Sequence, residues 1–255
     1  QLNTDVVKLK DRIKDIEAVT IKKGKPAKYV LVKGHFNAYL TLNSKLNGYI
    51  DGVATYVFDK KSQKVKAIKI EQYRAFTLIK AENDPKRVST ADFQSGLKLP
   101  ELEFAGNIKD FKSNKLKLKE LKGQTKDEIE LTREILQDKE IKFLGYRFYD
   151  HRAVLNMAFE KNSEKKLRDL LSANEIYFMK IKHKSEPEYN QIIIYRNFYP
   201  TDIDFSDKKD LPEVKLDLSK SNYSSEFWKT QDFPNMQPIF SKFFKDDLKE
   251  KQNSK

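Results

Sequence analysis

Apolar and polar side chains alternate between Tyr29 and Phe76 in a pattern that predicts three consecutive antiparallel strands. Successive residues of a strand point to opposite sides of a sheet, so alternation places the apolar side chains on one face. In the first strand these side chains are Phe36, Ala38, Leu40 and Leu42. Turn-forming residues at 43–48 and a polar stretch at 59–64 separate the strands. The pattern therefore predicts a β-meander with one apolar face that other residues must cover.

Helical spacing of apolar residues predicts four amphipathic helices that could supply this cover. The first spans residues 4–16, where apolar positions recur at three- and four-residue intervals. Residues 125–139 begin with a capping box, a Thr at the N-cap and a Glu three residues later, which predicts a second helix. Ser163 can cap a short third helix, and Pro238 suits the first turn of a closing helix.

Further strands are predicted in five stretches: residues 97–104, 141–149, 153–159, 176–182 and 191–198. Strands and helices together predict an α+β fold, mainly antiparallel β-meanders covered by amphipathic helices. A boundary near Gly123 would give two units. Residues 1–123 would form an N-terminal helix plus β-meander unit, and residues 124–255 a second helix-and-strand unit with an irregular, aromatic C-terminal segment. A single domain is the alternative.

The composition is that of a folded protein and excludes several kinds of active site. Hydrophobic residues make up 38% of the 255 positions, which is enough for a substantial core. The chain has eight glycines and neither a G-x-G-x-x-G nor a G-x-x-x-x-G-K-[ST] motif, which argues against a dinucleotide-binding or P-loop enzyme. Thiolate catalysis is excluded because cysteine is absent. We expect no cofactor and no transmembrane helix, since no apolar run is long enough to span a bilayer.

The chain carries a formal net charge of +12, which would attract polyanions. Its densest basic patch consists of six lysines: Lys109, Lys112, Lys115, Lys117, Lys119 and Lys122. These lysines are the candidate residues for binding a polyanion. Nucleic acid is the less favoured ligand, because its binding grooves interleave arginines and several aromatic rings, and only Phe111 is present here. An edge strand protected by lysine is the simpler explanation.

One histidine is a candidate for proton transfer. His151 lies between Asp150 and Arg152, and an adjacent carboxylate could orient and charge the imidazole. This residue leaves open a second alternative, a metal-independent hydrolase, although a surface turn is the simpler explanation. The acidic run at residues 202–207 lacks the glycine and the final glutamate of an EF-hand loop, so no metal site is predicted.

Large aromatic residues gather near the C-terminus without strand or helix periodicity. Tyr223, Phe227 and Trp228 are the candidate partner-binding residues, because buried aromatic rings dominate the energetics of protein interfaces. The same rings could instead cover this protein's own sheet.

The segment Asn222–Lys229, Asn-Tyr-Ser-Ser-Glu-Phe-Trp-Lys, resembles the closing segment of secreted envelope proteins of the Bacteroidota, in the group with a carboxypeptidase-regulatory-like domain. The resemblance covers only this short segment, and the small N-terminal β-sandwich of that group is not recognisable in the chain. The resemblance implies an extracytoplasmic, non-catalytic envelope component, and it implies no site residues.

The chain begins at Gln1, as a protein does after removal of a signal peptide, although trimming of the chain is an alternative explanation. We therefore expect a secreted or periplasmic protein that could associate with the outer membrane. Its expected role is that of a non-catalytic binding or accessory protein that acts through contacts with a protein partner in the cell envelope.

Overall fold

The computed structural model describes residues 27–78, 95–102, 116–136, 140–233 and 248–254. They contain ten strands: β1 Tyr29–Leu42, β2 Lys45–Asp59, β3 Val65–Leu78, β4 Leu116–Lys122, β5 Lys126–Leu136, β6 Ile141–Phe143, β7 Tyr146–Glu160, β8 Leu170–His183, β9 Asn190–Ser206 and β10 Leu248–Glu250. Single-turn 3₁₀ helices lie at Leu167–Asp169 and Phe227–Lys229. Strand makes up 62% of the described residues.

All ten strands belong to one antiparallel sheet, in the order β10-β3-β2-β1-β9-β8-β7-β5-β4, with β6 paired to β7. The meander predicted between Tyr29 and Phe76 is confirmed as β1, β2 and β3. Strands β4, β5, β7, β8 and β9 form a second run of neighbours. Strand β1 pairs with β9 and joins the two runs. The proposed boundary at Gly123 falls in the turn between β4 and β5, and the division into two units stays a prediction.

One face of the sheet carries the hydrophobic core. Phe36, Ala38 and Leu40 point to this face and are fully buried, as their alternation indicates. The core continues across β9, β8, β7 and β5 and includes Met157. Gly52 lies opposite Phe36, and a Cβ at this position would come within 2.6 Å of the phenylalanine ring. The glycine therefore leaves room for the ring.

An extended segment, rather than a helix, covers part of this face in the described portion of the chain. Residues 95–102 contact β2, β9 and β8 and contain three buried leucines: Leu97, Leu99 and Leu102. The hydroxyl of Tyr56 donates to the carbonyl of Pro100 at 2.6 Å. Arg196 forms a buried ion pair with Glu175 at 2.9 Å and also donates to a backbone carbonyl of the segment at 3.0 Å. These polar contacts hold the segment in place on an otherwise apolar surface.

The predicted α+β fold is wrong. The described residues form a nearly all-β protein without a helix of seven residues or more. The stretch 125–139, predicted as a helix, contains strand β5 instead. Ile129 and Leu131 alternate rather than recur at helical spacing, and pairing with β4 and β7 buries both in the core. Long-range sheet pairing therefore outweighs the local capping-box signal.

Three smaller predictions are also corrected. The helix expected at Ser163 is reduced to the 3₁₀ turn Leu167–Asp169, because the chain enters β8 directly afterwards. The turn expected at residues 150–152 lies inside β7, where a register shift marks a bulge, and the hairpin turn lies at Leu144–Gly145 instead. Residues 97–102 form no strand, because they lie across the sheet rather than along its edge.

Two further strand predictions are confirmed, since residues 176–182 and 191–198 lie within β8 and β9. The helices predicted at residues 4–16 and from Pro238 onward lie outside the described residues. Among the residues that are described, no helix is long and apolar enough to cross a membrane.

Candidate functional site

A row of polar side chains crosses the sheet on the face opposite the core. Successive strands place seven residues opposite one another: Glu130, Asn156, Asn174, Asn197, Asn37, Asp51 and Arg74. Directly opposed residues of neighbouring strands share a face, so the strand register assembles this row. The end of the row from Asn197 to Arg74 is buried.

Asp51 and Arg74 form a buried ion pair at this end of the row. Arg74 donates from Nε to Oδ1 of Asp51 at 2.9 Å and from Nη2 to Oδ2 at 2.5 Å. The hydroxyl of Tyr49 donates to Oδ2 of the same carboxylate at 3.0 Å. The planar guanidinium matches the carboxylate at two points, which fixes the geometry of both side chains. Removing either partner would leave the other charge buried and unpaired.

Burial is the main influence on the ionisable groups around this pair. Burial raises the pKa of Asp51, and the hydrogen bonds and charge of Arg74 act in the opposite direction. Burial and the Asp51 carboxylate raise the pKa of Tyr49 well above its usual value. Burial lowers the pKa of His35, against the opposing effect of Asp232. Tyr49 and His35 are therefore neutral near neutral pH.

Three aromatic rings cover the ion pair. Trp228 lies over Arg74, with the guanidinium carbon 4.0 Å from its ring centroid. Phe227 is buried and stacks on His35, with ring centroids 6.5 Å apart. Tyr223 meets Trp228 edge to face at 5.0 Å. We call Tyr223, Phe227 and Trp228 the aromatic cap. A guanidinium held against an aromatic face gains cation–π attraction that strengthens as water is excluded.

The chain reaches the cap by wrapping around the outer edge of β3. Leu216 packs against the core on one side of the sheet. Asn222 then donates its backbone N–H to the Tyr73 carbonyl at 2.9 Å and accepts the Tyr73 N–H at 2.8 Å. On the polar face, the side-chain oxygen of Gln72 accepts the backbone N–H of Ser225 at 3.3 Å. These bonds to β3 set the position from which the cap extends over the ion pair.

The structure brings the three aromatic candidates together, although not in equivalent positions. Phe227 is buried against the protein's own sheet, whereas Tyr223 and Trp228 are partly exposed. Partner binding by these residues stays a prediction. Asp51 and Arg74 were not among the predicted site residues, because their pairing depends on the register between β2 and β3. Alternation in the second strand had placed Asp51 on the side opposite the core. For Arg74 it gave the wrong side, because a bulge at Glu71 of β3 reverses the alternation before Arg74.

Among the described residues, two buried polar atoms beneath the cap find no hydrogen-bond partner: Nδ1 of His35 and Nδ2 of Asn37. The side-chain oxygen of Asn37 accepts a hydrogen bond from Asn197 at 2.8 Å. Buried polar atoms without partners cost free energy. These two atoms therefore carry a desolvation cost that no hydrogen bond in the described part of the chain offsets.

An open groove of about 700 Å³ lies beside the cap on the same face. Residues of β1, β2, β3 and β9 line it, and residues 211–214 form a further part of its lining. Four carboxylates line the groove: Glu71, Asp202, Asp204 and Glu213. Lys33 contacts Glu71 at 2.5 Å, and Lys69 contacts Glu213 at 2.9 Å. Asp202 and Asp204 remain as its exposed acidic side, and we call this feature the acidic groove.

In the described ranges, no group of His, Asp or Glu side chains is arranged to hold a metal ion. The lining of the acidic groove combines carboxylates with the apolar residues Leu31, Leu211 and Val214. Such a surface suits a cationic segment with an apolar part.

The six candidate lysines are divided between described and undescribed parts of the chain. Three are exposed on β4, the last strand of the sheet: Lys117, Lys119 and Lys122. Three lie outside the described residues: Lys109, Lys112 and Lys115. Lys119 lies opposite Glu130 of β5, and Glu120 pairs with Lys165 at 2.8 Å, so acidic groups accompany the basic ones. Polyanion binding stays a prediction.

His151 is half-buried in β7. Its ring meets Tyr177 edge to face at 4.6 Å. The carboxylate of Asp150 lies 3.7 Å from Nζ of Lys180, so the neighbour expected to orient the imidazole contacts a lysine. Burial, with the charge of Arg133, lowers the pKa of His151. These contacts give the hydrolase alternative no support.

No protein-family model matches the chain, and no curated protein matches it in sequence. Among solved structures, the chain is similar to one described as lipid–protein interactions in lipovitellin, at 9% identity and a TM-score of 0.35. The match covers 74% of this chain and 26% of the lipovitellin chain, so the chain spans about a quarter of that protein. At so low a TM-score the likeness carries no argument about fold or function.

Proposed function

We propose that the protein is a non-catalytic binding or accessory protein, secreted or periplasmic and associated with the cell envelope, that acts through protein–protein contacts. The observation that carries the proposal is the placement of Trp228 over the buried Asp51–Arg74 pair, which leaves its ring and that of Tyr223 partly exposed. The resemblance of residues 222–229 to a segment of secreted envelope proteins supports the location.

Fixing an aromatic ring before binding favours affinity. A partner that meets a mobile ring must offset the entropy of ordering it, about 0.5–1.5 kcal/mol for each side chain immobilised. Trp228 is already ordered by Arg74 beneath it and Tyr223 beside it. Trp and Tyr are also enriched among the residues that dominate interface energetics. The aromatic cap is therefore suited to anchor a partner.

The acidic groove indicates the chemistry of that partner. It lies next to the cap, and Ser224 of the segment that carries the cap is part of its lining. Its exposed aspartates, Asp202 and Asp204, would attract a basic segment and raise its rate of association. We propose a partner that places an apolar or aromatic side chain on the cap and a lysine- or arginine-bearing segment in the groove.

The test is affinity purification of the tagged protein from its own cells after mild crosslinking, comparing wild type with Trp228→Ala. Phe205→Ala is the matched control, because Phe205 is an exposed aromatic residue on the opposite face of the sheet. We expect a stoichiometric envelope or secreted partner that wild type and the control retain and Trp228→Ala loses. A partner retained equally by all three proteins, or no partner, would contradict the proposal.

Binding of a polyanion is the second candidate function, and the exposed lysines on β4 favour it. Neutralising phosphates releases counterions, so affinity for nucleic acid would fall steeply with salt. Replacing Lys117, Lys119 and Lys122 with glutamine should then weaken binding and reduce its salt dependence. Absence of binding to single- and double-stranded nucleic acid at low salt would remove this candidate.

A further inference from the structure

The hairpin of β6 and β7 exposes large apolar side chains at its turn. Phe143 is 63% exposed and Leu144 is 80% exposed, and Ile141 in the same hairpin is 47% exposed. Exposed apolar residues scattered singly are normal on protein surfaces. Three exposed apolar residues within four positions at a turn are unusual, because turns normally carry polar residues. We call Ile141, Phe143 and Leu144 the hairpin tip.

The backbone at the turn makes this choice of residues more unusual. Leu144 has φ +49° and Gly145 has φ +83°, so both turn residues adopt the left-handed conformation. Asn-Gly is the favoured pair for such a two-residue hairpin turn, since asparagine tolerates this conformation far better than leucine. Leu144 therefore holds a strained backbone conformation, and burial of its side chain does not offset that strain. Strained residues of this kind cluster at functional positions.

The hairpin has two chemically different faces. Ile141 pairs with Phe148 and Phe143 pairs with Tyr146, so one face is apolar and aromatic. On the other face, Lys142 lies opposite Arg147, which lies opposite Lys182 of β8. The register thus places three basic side chains in a row on the face opposite the apolar side chains.

Further groups around the tip extend this pattern. Lys184 is exposed and donates its backbone N–H to the carbonyl of Gly145 at 2.8 Å, so the neighbouring turn holds another lysine against the tip. Glu140 directly precedes β6, and its carboxylate contacts Lys142 and Arg147 at 3.7 Å.

Tyrosine rings lie on both sides of the hairpin. The Tyr146 ring meets His183 at 5.0 Å, and Tyr189 lies 5.0 Å from Nζ of Lys182. The interface of a lipid bilayer favours this combination: apolar side chains at a tip, tyrosine rings near them, and long basic side chains around them.

We propose that the hairpin tip inserts into the interfacial region of a lipid bilayer that carries anionic head groups, with Lys142, Arg147, Lys182 and Lys184 contacting the head groups. Leu144 and Phe143 then enter the boundary between head groups and acyl chains. The net charge of +12 adds long-range attraction to an anionic surface. This surface is distinct from the aromatic cap, and the inference does not depend on a partner at the cap.

Size argues for a bilayer rather than a protein as the occupant of the tip. A stable protein interface buries about 800 Å² on each partner, contributed by roughly 20–30 residues. Three side chains at a turn are too few to form one. Insertion into a bilayer needs no complementary surface and benefits directly from each apolar side chain removed from water.

The test is cosedimentation of the full-length protein with vesicles. Wild type is compared on vesicles of phosphatidylcholine with phosphatidylglycerol and on vesicles of phosphatidylcholine alone. We expect binding to the anionic vesicles, weaker binding to the neutral ones, and a decrease with added salt. The double variant Phe143→Ser/Leu144→Asn should bind the anionic vesicles at least roughly tenfold more weakly than wild type, because two apolar side chains no longer enter the interface.

The single variant Leu144→Asn separates a loss of membrane binding from a loss of folding. Asparagine suits the left-handed turn, so this variant should be at least as stable as wild type and still bind vesicles more weakly. Phe205→Ser, which removes an exposed ring elsewhere, should leave binding unchanged. The proposal is overturned if wild type ignores anionic vesicles or if the tip variants bind like wild type. A wild-type dimer that the tip variants abolish would also overturn it, because another copy would then occupy the tip.

Discussion

The guanidinium carbon of Arg74 lies 4.0 Å from the centroid of the Trp228 ring. The same guanidinium makes two hydrogen bonds to Asp51, so one side chain joins the buried interior of the polar face to the partly exposed cap above it. The cap should therefore respond to changes made at Arg74 or Asp51 in the sheet.

Replacing Arg74 with methionine should destabilise the protein strongly. The substitution leaves the Asp51 carboxylate buried without its cation, and breaking a buried ion pair in this way costs about 3–5 kcal/mol. The measurement is urea unfolding followed by circular dichroism. Lys98→Met is the matched control, because Lys98 forms an exposed ion pair with Glu101 at 3.0 Å and such pairs contribute about 1 kcal/mol or less. Equal losses in the two variants would contradict the assigned role of Arg74.

Trp228 provides a local probe of the cap, since it is the protein's single tryptophan. In the folded protein its ring is partly buried against Arg74 and Tyr223. We expect its emission to shift to longer wavelength in Tyr223→Ala, while circular dichroism of the sheet stays unchanged. An unchanged emission spectrum would mean that Tyr223 does not help to hold the ring.

Stability should fall as the pH is lowered from about 7.5 to about 5.5, the range in which histidine takes up a proton in the unfolded chain. Burial lowers the pKa of His35 and of His151 in the folded state. The unfolded chain therefore binds protons at a pH where the folded chain does not, so acid favours unfolding. The stability that the neutral histidines contribute is fully present above their pKa in the unfolded chain. It is lost as the pH falls through their lower pKa in the folded chain.

Urea unfolding at the two pH values checks this dependence. His35→Gln and His151→Gln should each reduce the loss of stability on acidification, and the double variant should reduce it further. His183→Gln, at the end of β8, is the histidine control. A pH dependence identical in wild type and in the double variant would show that other groups are responsible.

Tyr56→Phe should destabilise the protein by about 1 kcal/mol, the usual net contribution of a hydrogen bond, or more if the Pro100 carbonyl is left unpaired. The Tyr56 hydroxyl donates to that carbonyl at 2.6 Å and holds residues 95–102 on the core face. Backbone amides of that segment should then exchange hydrogen faster. Tyr146→Phe is the control, because the Tyr146 ring is half-exposed. Unchanged exchange in residues 95–102 would contradict the anchoring role.

The first meander was predictable because each of its strands alternates locally and the turns between them are short and polar. The helix predicted over residues 125–139 was wrong, because this stretch contains β5. There the capping box at Thr125 and the alternation of Ile129 and Leu131 gave opposite signals, and pairing with β4 and β7 favoured the strand. Where two local signals are of similar strength, the neighbouring strands decide between them, and a local sequence pattern does not show which strands these are.

The candidate site was predictable only in part. Clustering of Tyr223, Phe227 and Trp228 was visible as composition, without the surface on which they lie. Asn37 and Asn197 are 160 positions apart and form a hydrogen bond because β1 pairs with β9. A one-residue shift of that register would move either side chain to the other face. Assembly of the polar row therefore follows from topology rather than from any motif.

The most direct test of the proposed function places a photoreactive amino acid at position 223, in the cap, and separately at position 205, on the opposite face. Each protein is expressed in its own cells, illuminated and purified, and the crosslinked species are identified by mass spectrometry. We predict one dominant envelope or secreted protein crosslinked from position 223 and not from position 205, with crosslinked residues in a basic segment. The same products from both positions, or none from position 223, would contradict the claim that the aromatic cap contacts a partner.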